Sequence, residues 1–277
     1  MTSTLGCAMR FNKGNRFVSS AIISVLILAL LSLIPIAGYI ALTRPTRQEI
    51  PTVVSPIVSL EDRIEQVIDS VVHVANVTQG WQGSGLLISS DIVVTARHVA
   101  DGGSDFTVTL NNGTKVKSCR ALTSKRHDIG FLQLEKSVTG VEFSVRLGSM
   151  VDCRLGQQVF ALGSPFGEMN RNSVTLGIIS RLNCDLEKFD CPKDYGWSAT
   201  FQTDCPAYPG NSGCPLFTLD GVVRGIIVGG FDDNLVYCVP VDLIVGQIST
   251  VQLMFQMDVF EFEQGFVPTV TLTEEEY

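Results

Sequence analysis

Between residues 71 and 239 the chain is a succession of short apolar segments separated by turn-forming residues. Such runs, rich in Val, Ile, Phe and Thr and bounded by Gly, Asn and Asp, are typical of strands and are short for helices. Asn111-Asn112-Gly113 and Asp220-Gly221 provide hairpin turns between neighbouring runs. The pattern predicts an all-β domain of many antiparallel strands. The expected strands are 71–77, 85–89, 92–95, 106–110, 115–122, 129–134, 158–163, 173–182, 200–203, 215–219, 222–229 and 235–239.

Two helical patterns flank these strands. Ser59-Leu60-Glu61-Asp62 has the form of a capping box, and the apolar residues after it recur at helical spacing, which predicts a short helix. Apolar residues from 240 to about 254 form one broad stripe, which predicts a closing helix. We therefore expect one folded domain over 59–255, a length over which a sizeable core can be buried.

A long uncharged segment precedes this domain. Residues 17–43 contain no charged side chain, and a helix of 27 residues is about 40 Å long, enough to cross a hydrocarbon layer of about 30 Å. The basic residues of 1–16 favour a short cytoplasmic tail, a signal-anchor helix over 17–43 and a domain outside the cytoplasm. A cleaved signal ending near Ala41 is the alternative, and it would release the domain from the membrane.

The segments on either side of the domain are polar. Three prolines in 44–58 oppose helix formation and predict an extended linker. The tail 256–277 carries six acidic residues and no Lys or Arg, which predicts a solvated acidic extension. The net charge of −8 and the lack of a dense basic cluster argue against nucleic-acid binding.

One stretch, Tyr-Pro-Gly-Asn-Ser-Gly-Cys-Pro at 208–215, places a serine where glycines let the backbone approach a substrate carbonyl. A serine hydroxyl is inert at neutral pH unless a base takes its proton, and a histidine acting as that base needs a carboxylate to fix its tautomer. His98 and Asp128 lie upstream of Ser212, so the order is His, Asp, Ser.

The segments around these residues resemble the trypsin-like serine proteases of the HtrA/Deg type. Gly83-Ser84-Gly85, TARHVA, HDIGFLQLE, ALGSPFG, SVTLGIISRL, FQTD and PGNSGCP occur in the order found in that family, and the resemblance covers roughly residues 59–250. It implies a two-barrel trypsin-like (chymotrypsin-fold) domain with the site between the barrels. It also implies a serine endopeptidase that acts on proteins or peptides without a cofactor or metal. The sequence after Met254 is too short for the PDZ domain that many such proteins carry.

The resemblance also assigns roles. Ser212 would be the nucleophile, His98 the general base and Asp128 the residue that orients the histidine. The oxyanion hole would be formed by the backbone N–H groups of Gly210 and Ser212.

The same resemblance places the primary specificity pocket. Its walls would be formed by 206–208 and 226–228, that is Pro206, Ala207, Tyr208, Ile226, Ile227 and Val228. Neither segment carries a charge, and Asp204 is expected to be structural. We therefore expect the pocket to accept uncharged aliphatic side chains, because a buried cation would need a buried partner.

The remaining histidines and the cysteines have other interpretations. His73 lies in an apolar strand and is expected to be structural, and His127 is expected to be exposed beside Asp128. Cys184 and Cys191 bracket a loop of six residues, which favours a disulfide outside the cytoplasm. A zinc site is the alternative, although no Cys-x2-Cys pair or neighbouring histidine supports it. Cys214 stands where the family usually has glycine, and a bond to Cys205 or Cys238 would stiffen the site.

Two other functions stay open at this point. A protease-like binding or chaperone module would use the cleft without turnover, although such a module has no need for the full set of catalytic residues. A membrane scaffold would use the acidic tail 256–277 to recruit partners. The prediction that the sequence favours is a membrane-anchored serine endopeptidase.

Overall fold

A computed structural model describes residues 58–124, 126–140, 145–189, 191–232 and 234–256. The expected cytoplasmic tail 1–16, the expected span 17–43, nearly all of the linker 44–58 and the tail beyond Gln256 lie outside the described residues. Among the residues that are described, no helix is both long and apolar enough to cross a membrane.

The first half of the described chain forms a closed barrel. Its order is β1-β2-β3-β6-β5-β4, and antiparallel pairing of β1 with β4 closes it. Helix α1 (Leu60–Val67) precedes the barrel and begins as expected, since Ser59 Oγ accepts a hydrogen bond from the Asp62 N–H. A one-turn helix, α2 (Arg97–Ala100), follows β3. The strands are β1 (Val71–Asn76), β2 (Trp81–Leu87), β3 (Ile92–Thr95), β4 (Phe106–Thr109), β5 (Lys115–Thr123) and β6 (Gly130–Leu134).

The second half forms another antiparallel barrel. Its strands run in the order β11-β8-β9-β10-β13-β12, pairing of β11 with β12 closes the ring, and β7 adds a short parallel edge to β12. Helix α3 (Val241–Gln256) follows the last strand, close to the predicted bounds. The strands are β7 (Arg146–Leu147), β8 (Gln158–Gly163), β9 (Ser173–Cys184), β10 (Thr200–Thr203), β11 (Pro215–Thr218), β12 (Val222–Asp232) and β13 (Leu235–Pro240).

The barrels are held by two apolar clusters. The larger contains side chains of both barrels and both long helices, and the smaller lies within the second barrel. Phe106 and Phe131 are fully buried in the larger cluster, where each contributes about 1.5–3 kcal/mol relative to an exposed side chain. Phe160 and Phe217 stack with ring centroids 5.0 Å apart on the paired strands β8 and β11.

The structure confirms the all-β fold and the two barrels, and it differs from the expected strands mainly in two places. Strand β2 begins at Trp81 rather than at residue 85, because the glycine-rich stretch pairs with β1 through Val74 and Gly83. Strand β7 has no counterpart in the prediction, since two residues carry no readable alternation.

The seven cysteines of the described residues are all free thiols. The disulfide predicted between Cys184 and Cys191 is therefore wrong, and Cys214 forms no bond with Cys205 or Cys238. The loop after Cys184 is not an open hairpin loop. It turns through a short 3-10 helix and is closed by a hydrogen bond from the Cys191 N–H to the Leu186 carbonyl, and both thiols are buried in the larger apolar cluster.

Candidate active site

His98 is presented at the end of a buried strand. Strand β3 ends at Thr95, and α2 then turns the chain so that His98 projects from its first turn. His98 Nδ1 lies 2.9 Å from Asp128 Oδ2 and 3.1 Å from Oδ1. The side chain of His98 is 48% exposed, so part of the ring remains accessible to solvent.

Asp128 is held in the loop between β5 and β6. The loop is closed by a hydrogen bond from the Ser124 N–H to the Ile129 carbonyl, and the Asp128 side chain is only 3% exposed. A carboxylate removed from water requires donors. Besides the imidazole, the His98 backbone N–H donates to Oδ1 over 3.1 Å and the Trp197 indole N–H donates to Oδ2 over 3.1 Å.

Ser212 lies in the loop between β10 and β11. The loop is fixed to the first barrel because the Ser84 N–H of β2 donates to the Ser212 carbonyl over 2.8 Å. It is fixed to its own barrel because the Gly213 N–H donates to the Ile227 carbonyl over 2.7 Å. Gly213 has φ +87°, and a Cβ there would lie 2.2 Å from both the Ser84 carbonyl and Thr95 Oγ1. Only glycine permits this close approach of the serine loop to the end of β3.

Two backbone N–H groups of this loop donate no hydrogen bond to another described residue. Within the described part of the chain, neither the Gly210 nor the Ser212 N–H has an acceptor. The neighbouring carbonyls are restrained: Pro209 O accepts from the Phe166 N–H over 2.6 Å, and Gly210 O accepts from Ser84 Oγ over 2.8 Å. The peptide planes on both sides of Gly210 are therefore held in place.

The Ser212 hydroxyl and His98 are not hydrogen-bonded to each other among the described residues. Such bonds are often long in unliganded enzymes and tighten when a substrate binds. The structure thus joins His98 to Asp128 directly, and it brings Ser212 to the same end of the barrels through Ser84 and Gly213.

A cleft of about 310 Å³ opens beside Ser212. Three residues expected in the pocket, Ala207, Tyr208 and Ile227, line it. Its other walls come from Pro209, Asn211, Gly229, Gly230, Phe231, Asp232 and Val236.

The remaining three residues expected in the pocket, Pro206, Ile226 and Val228, do not line this cleft. Ile226 and Val228 are buried in the larger apolar cluster, whereas Ile227 between them belongs to the smaller one. Successive side chains of a strand point to opposite faces, so only one of these three neighbours on β12 faces the cleft.

Two acidic residues bear on the character of the cleft. Asp204 Oδ1 accepts a hydrogen bond of 2.6 Å from the Ile178 N–H, which agrees with the structural role expected for it. Asp232, which sequence reasoning missed, lies exposed at the rim. Its position in the sequence could have indicated it, because Asp232 ends β12, the longest strand after Ser212, and lies four residues beyond Val228.

The other two histidines lie in the protein interior. His73 Nε2 is 2.9 Å from Gln82 Oε1, and burial lowers the pKa of His73, in agreement with a structural role. His127 is 5% exposed, so the expectation that it is exposed is wrong. The tight turn that binds the His127 N–H to Ser124 Oγ and its carbonyl to the Ile129 N–H places it against the chain at Gly196.

The described residues contain no group of three or more His, Cys, Asp or Glu side chains that could hold a metal ion. The groups that the structure holds near one another are the Ser212 hydroxyl beside the cleft, the His98 imidazole and the two backbone N–H groups without an acceptor among the described residues. This set suits addition of a serine to a carbonyl carbon, because it provides a nucleophile, a base and donors for an oxyanion.

Two antiparallel barrels that contribute His and Asp from one side and Ser from the other define the class of trypsin-like, two-barrel proteins. A model of the trypsin-like peptidase domain matches residues 83–226, slightly more than half of the chain. The chain belongs to the trypsin-like peptidase family, and within that family it is similar to proteins of the HtrA/Deg type.

Curated relatives of this type are similar over the same region. A probable DegP-like periplasmic serine endoprotease of Halomonas elongata is 37% identical over 168 residues, which are 58% of this chain and 33% of that protein. Another from Pseudomonas fluorescens is 34% identical over 168 residues, with the same shares. The chain thus spans about a third of the length of these relatives.

Solved structures show the same fold. The HtrA-type protease AlgW with a tripeptide superposes with a TM-score of 0.62 at 21% identity, over 72% of this chain and 65% of that chain. The serine endoprotease from Yersinia pestis superposes with a TM-score of 0.58 at 22% identity, over 70% and 66%.

Proposed function

We propose that the protein is a serine endopeptidase that hydrolyses peptide bonds of proteins, with Ser212, His98 and Asp128 as its catalytic residues. The observation that carries this proposal is the pairing of a half-exposed His98 with a buried Asp128 carboxylate at 2.9 Å. A buried carboxylate on one ring nitrogen leaves the other nitrogen as a proton acceptor toward the cleft.

In the acylation step, Ser212 Oγ attacks the scissile carbonyl while His98 Nε2 takes the hydroxyl proton. Asp128 stabilises the imidazolium that forms. The negative charge moves to the carbonyl oxygen, where the Gly210 and Ser212 N–H groups donate to it. Each donor of this kind contributes about 2.7–4 kcal/mol to the transition state. His98 then gives its proton to the leaving amine. The amine departs, and the acyl group stays bound to Ser212 as an acyl-enzyme.

In the deacylation step, a water molecule takes the place of the amine. His98 removes a proton from that water, the resulting hydroxide attacks the ester carbon, and the same two N–H groups stabilise the second oxyanion. Collapse of this intermediate returns the proton to Ser212 Oγ and releases the new carboxyl terminus.

The cleft favours uncharged aliphatic side chains before the scissile bond. Ala207 and Ile227 give the cleft apolar walls, and Tyr208 and Val236 also line it. Each methylene that fills such a pocket contributes about 1–3 kcal/mol, so discrimination within the aliphatic class is modest. A basic side chain would need an acidic partner at the base of the cleft. The carboxylate of Asp232 is exposed at the rim of the cleft instead.

We further propose that the domain works outside the cytoplasm and is anchored by the uncharged segment 17–43. The curated relatives with DegP-like domains are named as periplasmic proteins, which supports the location. Carbonate washing of membranes tests the anchor: the protein should stay in the pellet and retain its first 16 residues. A mature amino terminus near Ala41 would replace the anchor with a cleaved signal.

The test of activity compares Ser212→Ala with wild type on an unfolded protein substrate and on a serine-directed fluorophosphonate probe. Ser137→Ala, an exposed serine in the first barrel's last loop, is the matched control. We expect Ser212→Ala to lose turnover and labelling while Ser137→Ala keeps both. A folded wild-type protein that takes no label would favour the binding module, and labelling that persists in Ser212→Ala would identify another nucleophile.

A further inference from the structure

Trp197 connects the buried carboxylate of the site to the wall of the cleft. It lies just before β10 in the second barrel, 69 residues from Asp128, and its side chain is 7% exposed. Its indole N–H donates to Asp128 Oδ2 over 3.1 Å. Buried indole N–H groups need an acceptor, and here the acceptor is the carboxylate that pairs with His98.

Among the described residues, the hydrogen-bond donors to the Asp128 carboxylate come from two residues, His98 and Trp197. Two come from His98 itself, through its backbone N–H and its ring, so they cannot fix the carboxylate independently of the histidine. Within the described residues, the indole N–H is the donor that reaches the carboxylate from the second barrel. Without it, Oδ2 would retain only the bond to the ring that it is meant to orient.

The Trp197 ring is itself fixed on several sides. Tyr195 meets it edge-on with ring centroids 5.4 Å apart, and Tyr237 and Phe231 lie at 6.1 and 6.4 Å. A Cβ on Gly229 would lie 2.7 Å from the ring, so the indole packs directly on the backbone of β12. Gly229 and Phe231 also line the cleft beside Ser212.

We propose that Trp197 is a positioning residue for the reaction: its N–H fixes the Asp128 carboxylate, and through Asp128 it sets the orientation of His98. This inference rests on the proposed function of His98, Asp128 and Ser212. The same ring packs on Gly229 and Phe231 in the cleft wall of the second barrel. That wall therefore supports the position of His98 and Asp128, which belong to the first barrel.

The experiment is Trp197→Phe, which keeps an aromatic ring but removes the N–H donor and part of the ring volume that packs on Gly229. The matched control is Trp81→Phe, because Trp81 is the only other tryptophan and its indole N–H donates to the Val99 carbonyl over 3.3 Å. A hydrogen bond to a charged group corresponds to roughly a 10- to 100-fold effect, so we expect kcat of Trp197→Phe to fall by about that factor with KM within about twofold.

The pH profile separates positioning from packing. Without the N–H, the negative charge of the carboxylate is stabilised by one donor fewer and favours the imidazolium more strongly. The acid limb of kcat/KM should therefore move to higher pH in Trp197→Phe and stay in place in Trp81→Phe. A Trp197→Phe enzyme that is folded and has the wild-type kcat and pH profile would overturn the proposal.

A measurement on the wild-type protein covers the case in which a variant does not fold or no turnover is found. With 15N-labelled tryptophan, the two indole N–H signals can be followed as His98 is titrated. The Trp197 signal should move with the histidine, and the Trp81 signal should not. A Trp197 signal that ignores the titration would refute the contact, whereas an enzyme without turnover but with the expected titration would refute only the proposed function.

Discussion

Replacing Gly210 by alanine tests how far the oxyanion hole depends on one backbone conformation. Gly210 has φ +101°, a region that strongly disfavours residues with a side chain, and a Cβ there would lie 2.5 Å from the Ser164 carbonyl and 3.0 Å from the Phe166 nitrogen. Both are backbone atoms of the loop that holds Pro209 O. They cannot swing aside as the end of a flexible side chain could.

The magnitude follows from these distances. An ordinary contact needs about 3.4 Å, so the peptide planes around Gly210 must shift by about 0.9 Å relative to Ser164. A displacement of this size removes the Gly210 N–H from the oxyanion position, and loss of one such donor lowers kcat by about 10²- to 10³-fold. The strained backbone should also lower the free energy of unfolding by about 1–3 kcal/mol.

Gly156→Ala is the matched control. Gly156 also has a positive φ, +78°, but no atom lies within 4 Å of the position of its Cβ. This variant should lose about 1–2 kcal/mol of stability from the backbone alone and keep kcat. The assay is steady-state hydrolysis of a fluorogenic peptide, with active sites counted by fluorophosphonate titration and unfolding followed in urea. If Gly210→Ala is folded and its kcat lies within threefold of wild type, the assignment of its N–H to the oxyanion hole is wrong.

Three further predictions concern thiols, pH and specificity. Burial raises the pKa of Cys205 to about 11 and also raises the pKa values of Cys214 and Cys238. Iodoacetamide at pH 7.5 should therefore alkylate the exposed Cys119 and leave these three unmodified until urea is added. Peptide mass spectrometry that finds Cys214 modified as fast as Cys119 would contradict this. Burial lowers the pKa of His73 from 6.5, so the unfolded chain binds a proton that the folded chain does not. The free energy of unfolding should therefore fall as the pH drops below about 6.5. Urea denaturation should show a shallower dependence on pH in His73→Asn. A proteomic cleavage profile should show Val, Ala, Ile or Leu before the scissile bond, and a profile dominated by Arg or Lys would assign the carboxylate of Asp232 to the pocket rather than to its rim.

The sequence was sufficient where structure depends on local pattern. Alternating apolar residues and Asn-Gly or Asp-Gly turns predict the strands, because a strand buries one face and a hairpin needs residues that tolerate positive φ. The serine loop was recognisable for the same reason, since Gly210 and Gly213 occupy conformations that only glycine adopts easily.

What the sequence could not provide are contacts between distant segments. The hydrogen bond of Trp197 to Asp128 spans 69 residues and that of Ser84 to Gly210 spans 126, and neither leaves a local signature. The error over Cys184 and Cys191 has a similar origin, because spacing alone does not reveal whether a loop is open or closed by its own 3-10 turn. Pro206, Ile226 and Val228 were predicted for the pocket and do not line the cleft beside Ser212. Which face of a strand meets a cleft depends on the packing of the whole barrel.

The link between Ser84 and the serine loop also has a consequence for the time at which the chain becomes hydrolytic during synthesis. The first barrel is complete at Leu134 and already carries His98 and Asp128, but Ser212, the proposed nucleophile, lies 78 residues later, and its carbonyl accepts a backbone hydrogen bond from β2. A nascent or truncated chain that ends before residue 212 would therefore carry the proposed base without the proposed nucleophile. The proposed activity would begin only when both halves have folded and met, which would spare the ribosome-bound chain and its neighbours from premature cleavage.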